Sequence, residues 1–148
     1  MATGAPNGQP LPPGVCPPPP EPAGAGGSDL SLEGACPFHQ SGAATCHAAA
    51  DDFYALIRRL LPGDRTLDLY TNVEFYHGPG RYDGAQVLLV IQDGPTLYQW
   101  SNFRTTAIVA SGERSVSIPA AELTTQPGQA GAGPVRLSGL IGCAGAGP

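Results

Sequence analysis

Cysteine and histidine are the residues with the most direct chemical options in this 148-residue chain, which holds four of the first and three of the second. Cys36-Pro-Phe-His39 and Cys46-His47 place two sulfurs and two imidazoles close together in sequence, the atom types that tetrahedral zinc takes. Adjacent Cys46 and His47 are awkward as two ligands of one ion, and Cys16 and Cys143 would be left over. Disulfides are therefore the expected chemistry, with Cys36, His39, Cys46 and His47 kept as the alternative metal set and no metal assigned. An even cysteine count in a small, loop-rich chain also points to an oxidising compartment. Of the three connectivities open to four cysteines, the preferred one joins Cys46 to Cys143, which closes most of the domain into one loop, and Cys16 to Cys36. In the chain-entropy picture the long loop alone contributes about 4 to 5 kcal/mol.

Catalysis finds little support. No nucleophile elbow, HExxH pair or phosphate-binding glycine loop occurs. Gly78-Pro79-Gly80 resembles such a loop only superficially, because Pro79 has no amide proton and no helix pattern follows it. The segment Tyr76 to Asp83 is a better recognition candidate. Its residues Tyr76, His77, Arg81 and Tyr82 could form a polar and aromatic tip held by the strands on either side. Tyr98 and Trp100 share a side of their own strand, and exposed rings there would make a platform for a sugar or a peptide. The competing reading makes Trp100 the core aromatic of a β domain.

Composition narrows the partners. Twelve acidic residues outnumber seven basic ones for a net charge of -5, and every basic residue is a scattered Arg. Such a chain has no positive stripe with which to neutralise phosphates, so nucleic acid is not an expected partner. No segment approaches the ~20 apolar residues of a helical membrane span, and no cofactor motif is present. Residues 1–30 contain no long apolar run, so the expectation is a mature chain from which an export signal or anchor has been removed.

The elements that must position these residues follow from periodicity. Residues 1–35 are dominated by Pro, Gly and Ala and read as a flexible arm and spacer. Over 46–61, Ala49, Phe53, Leu56, Ile57 and Leu60 recur at three- and four-residue spacing, which predicts one amphipathic helix ended by Pro62-Gly63. From Thr66 onward the period is two. Leu67, Leu69, Thr71, Val73 and Phe75 should share one strand face, and Val87 to Gln92 is apolar on both sides, as in a strand between two layers. Ser115 to Ile118 reads as a short strand stopped by Pro119, Ala120 to Leu123 as a helical turn, and Pro134 to Cys143 as a last strand. Strands at this spacing without intervening helices predict a mainly β domain over 36–143, a small antiparallel β-sandwich or open barrel with one helix, and a tail over 144–148.

The strand leading into Gly78-Pro-Gly-Arg-Tyr82, the Trp100 strand, the turn before Ser115 and the terminal strand ending at Cys143 together resemble the small exported, often lipid-anchored β domains of high-GC bacteria. That resemblance covers Leu67 to Cys143 and carries no catalytic residues. It implies an extracellular or cell-envelope location and a non-catalytic module for binding or surface structure, with an envelope component, protein or glycan as partner. The alternatives are a carbohydrate- or peptide-binding domain using the aromatic platform, and a small zinc-dependent or hydrolytic enzyme.

Overall fold

The computed structural model describes residues 27–35, 37–61, 63–125 and 134–144. Nine strands run in chain order: β1 (Asp29–Gly34), β2 (Phe38–Gln40), β3 (Thr45–Ala48), β4 (Asp52–Leu61), β5 (Arg65–Glu74), β6 (Gly80–Asp93), β7 (Thr96–Val109), β8 (Ser115–Leu123) and β9 (Val135–Gly142). They form one antiparallel sheet in the order β2-β1-β9-β8-β7-β6-β5-β4-β3. Laid flat, such a sheet would hold its two edges about 38 Å apart. Yet β2 and β3, the two edges, are joined by residues 41–44 alone, a link that reaches at most about 18 Å. The sheet must therefore curl, and it does so as a half-barrel with one concave, apolar face.

Contacts at the closing corner confirm the curl. Ala44 donates its N–H to Gly142 O at 2.7 Å and accepts from Ala144 N at 2.6 Å. Arg59 on β4 donates to Gln40 on β2 at 3.1 Å, across the gap between the edges. Ser28 accepts the Gly142 N–H on its hydroxyl at 3.0 Å. Cys46 and Cys143 are bonded here, with Cα atoms 5.6 Å apart and a sequence separation of 97.

The concave face is the core. Leu67, Leu69 and Val73 on β5 and Val87, Leu89 and Ile91 on β6 are all buried, alternating with partly exposed neighbours. Trp100, fully buried, lies opposite Leu89 in register.

Several expectations need correcting. The helix over 46–61 is two strands, β3 and β4, paired from Thr45↔Leu56 to Ala48↔Phe53. Phe53, Ala55 and Ile57 are buried while Tyr54, Leu56 and Arg58 face outward, so the two-residue period prevails once a sheet edge is there to receive it. Of the two forms expected, the curled single sheet is nearer the open barrel than the two-layer sandwich: among the described residues Leu88 and Val90 on the outer side of β6 are half-buried beside their strand neighbours and no second sheet packs on them. Composition places residues 29–34 in the arm, but they form β1, which pairs along its length with β9. Phe75 does not join the face of Leu67. It adopts a left-handed conformation, φ 57°, and is 82% exposed, which turns Tyr76 inward in its place.

Pro119 does not end its strand, and no helical turn follows it. β8 continues to Leu123 through an irregularity between Ile118 and Ala121, the kind of site where a sheet tolerates proline. The terminal strand is as expected, apart from one crowded position. At Gly139, φ is 128° and a Cβ would lie 2.1 Å from the Asp29 carbonyl oxygen. Gly139→Ala must push β1 off β9, and we expect a loss on the order of 3 kcal/mol. Thermal melting checks this, and an unchanged midpoint would show that the β1–β9 approach is looser than described.

Candidate functional site

Residues 75–79 join β5 to β6, so the segment expected as a loop is strand from Gly80 onward, and the aromatic groups of Tyr76, His77 and Tyr82 turn toward one another. Tyr76 is buried, with its ring 5.3 Å from Phe53 and 5.6 Å from Tyr82. Its hydroxyl donates to the Glu113 carboxylate in the β7–β8 turn. Tyr82 donates to Gly78 O at 2.6 Å and accepts from His77 N at 3.0 Å, while the His77 ring lies 5.1 Å from its own. The hydroxyl of Tyr82 is thus committed to holding the loop. Tyr82→Phe should cost about 1 to 2 kcal/mol and speed hydrogen exchange at His77; unchanged exchange there would mean the loop is held by other contacts.

Burial, and then the bond to Glu113, push the Tyr76 phenol well above its ordinary pKa. The folded chain therefore holds this proton more tightly than the unfolded chain. The resulting stability is present in full below the unfolded tyrosine value of about 10 and is lost as pH rises toward the folded one. Of the five tyrosines, one should resist ionisation in an alkaline absorbance titration until the fold opens. Simultaneous ionisation of all five would contradict the burial of Tyr76.

Arg81 is not part of this ring cluster. It donates to Asp83 at 3.0 Å, and Thr106 donates to the same oxygen at 2.9 Å. Hydrogen bonds from Arg81, then Thr106, hold the Asp83 carboxyl below its usual range. Tyr98 and Trp100 are also elsewhere. They pair with Ile91 and Leu89, whereas Tyr82 pairs with Ala107, so the distance along β6 from Tyr82 to Leu89 is about 23 Å. The six residues expected to form a recognition site are therefore split into a loop cluster, a surface ion pair and a core aromatic with its neighbour.

The cysteine and histidine candidates are likewise separated. Cys46 is bonded to Cys143 with an S–S length of 2.02 Å and has no thiolate to offer a metal. His39 lies 2.6 Å from an Asp29 carboxylate oxygen on the neighbouring strand. His47 packs against Tyr54. Cys36 and Cys16, and so their expected pairing, lie outside the described residues. Among the described residues no group of three or more His, Cys, Asp or Glu side chains could hold a metal ion.

The structure assembles one row that the sequence does not announce. On the convex face, the His47 and Tyr54 rings are 5.5 Å apart, and Tyr54 and Tyr70 are 6.0 Å apart, across β3, β4 and β5. Asn72 donates to Asp52 and to Phe53 O beside them. Desolvation, then Asp52 and Tyr54, raise the Tyr70 pKa. Finding this row needs the register of three strands, and the helical reading of 46–61 hides two of its members. The alternation of Tyr54 with Phe53 and Ala55 is the signal that could have exposed it.

The class that these features define is a disulfide-closed antiparallel half-barrel with a filled core and aromatic groups on its convex side. Comparisons with family models, curated proteins and solved structures found no match.

Proposed function

We propose that this protein is a non-catalytic extracytoplasmic module, secreted or envelope-anchored, that works by presenting its outer surface for binding or cell-surface structure. The observation that carries this reading is the Cys46–Cys143 bond at the corner where the sheet closes, since such bonds persist in oxidising compartments and are rare in reducing ones. A core filled at its centre by Trp100, Leu69 and Leu89 supports it too, because it leaves ligand recognition to the surface. The partner class is an envelope component, protein or glycan. Fractionation of the native host tests the proposal: it expects the protein in the envelope or the medium, and recovery from the cytosol with Cys46 and Cys143 reduced would overturn it.

A second reading, carbohydrate binding on an aromatic platform, is favoured by the His47–Tyr54–Tyr70 row. Sugar rings pack on such side chains while amides and carboxylates at the rim bond their hydroxyls. On a glycan array, Tyr54→Ala together with Tyr70→Ala should abolish any signal given by the parent protein. Equal signals from both would remove the row from consideration.

A further inference from the structure

We propose that the Cys46–Cys143 bond is a thiol-operated latch on β3, and that opening it withdraws His47 from the convex ring row while the rest of the sheet stays folded. β3 is lightly held. Of its four residues Thr45, His47 and Ala48 are exposed and Cys46 is partly buried, so the strand adds almost no apolar surface to the core. It lies at the end of the sheet, with β4 as its ladder neighbour. Among the described residues its other ties are the His47–Tyr54 ring contact, the disulfide, and the two main-chain bonds of Ala44 just before it. β4 is placed differently. It pairs with β5 along its full length and buries Phe53, Ala55, Ile57 and Leu61. The element with the least burial opens first, so loss of the covalent tie should release β3 and leave β4 where it is.

The chemistry is thiol–disulfide exchange with a reducing thiol. Cys143 is 8% exposed and Cys46 more so, which makes Cys46 Sγ the sulfur that an incoming thiolate reaches. The new sulfur–sulfur bond forms as the bond to Cys143 breaks, and Cys143 leaves as a thiolate that takes up a proton. A second thiol then displaces the first from Cys46, so two reductant thiols become one disulfide and the chain gains two thiols. The effect on the row follows from its placement. His47 stands on β3, whereas Tyr54 and Tyr70 stand on β4 and β5, so opening the latch removes one ring of three. The consequence for binding rests on the carbohydrate reading of that row: the closed form would hold a sugar on three rings, and the reduced form would hold it on two.

The test follows nuclear Overhauser spectra of the full oxidised chain as it is reduced with dithiothreitol and then reoxidised. Reduction should remove the contacts between the His47 and Tyr54 rings and between Cys46 and Ala55, and keep those between the Tyr54 and Tyr70 rings and between Leu69 and Leu89. Reoxidation should restore what was lost. Cys16→Ser with Cys36→Ser leaves Cys46 and Cys143 as the one pair able to respond, and the same pattern is expected from that variant. Persistence of the His47–Tyr54 contact in the reduced chain would overturn the proposal, since the ladder with β4 would then hold β3 unaided. Loss of every cross-strand contact together would also overturn it, because the bond would then guard the whole fold and not one strand, and so would a response that needs Cys16 or Cys36. None of these results touches the carbohydrate reading itself, which the glycan array decides with the bond closed.

Discussion

Replacing Cys46 and Cys143 together by serine is expected to lower the unfolding free energy by about 4 to 5 kcal/mol. The bond spans 97 residues, and a loop that long removes much of the conformational freedom of the unfolded chain. It also sits where the curled sheet has little else to close it. At that corner Ala44 makes two main-chain bonds, to Gly142 at the end of β9 and to Ala144 beyond it, and β3 is only four residues long. Without the covalent link, β3 should fray from the β9 end first. Denaturant unfolding of the oxidised parent and the double variant measures the difference, and hydrogen exchange at Cys46, His47 and Ala144 should rise most. A difference below about 1 kcal/mol would mean that the closing corner is held by packing instead.

Trp100→Ala should be nearly as severe, at about 3 to 5 kcal/mol. Trp100 has no exposed surface, and it lies on β7 opposite Leu89, in the middle of the concave face. Removing the indole leaves a void lined by strands that cannot easily collapse, because their spacing is set by main-chain ladders. Trp100→Phe should recover much of the loss. In the parent protein the same burial predicts blue-shifted emission that aqueous quenchers do not reach. Ready quenching, or a cost for alanine near 1 kcal/mol, would place the indole at the surface and return it to the list of binding candidates.

Much of the sheet was legible from alternation alone. Leu67, Leu69 and Val73, then Val87, Leu89 and Ile91, mark inward faces that the structure keeps, and the Cys46–Cys143 pairing follows from the loop it closes. The segment 46–61 was not legible. Phe53, Leu56, Ile57 and Leu60 suit a helical stripe, while Phe53, Ala55, Ile57 and Leu61 suit a strand face, and a short apolar run satisfies both periods. Only the neighbour β5, paired with β4 over its full length, decides between them. Phe75 shows a different limit: one residue with positive φ reverses the facing of all that follows, and nothing in its identity signals it. Of the candidate site, the loop cluster of Tyr76, His77 and Tyr82 was visible as a group because those residues are close in sequence. The convex ring row was not, since it depends on the register of three successive strands, two of which the helical reading of 46–61 conceals.

Cross-strand nuclear Overhauser effects in the oxidised protein provide the most direct measurement of the closed, helix-free sheet on which these functional readings rest. The structure predicts contacts between Cys46 and Ala55, between Leu30 and Gly139, and between Ala44 and Cys143. Helical contacts between residues three apart within 46–61, with none linking Ala44 to Cys143, would contradict it.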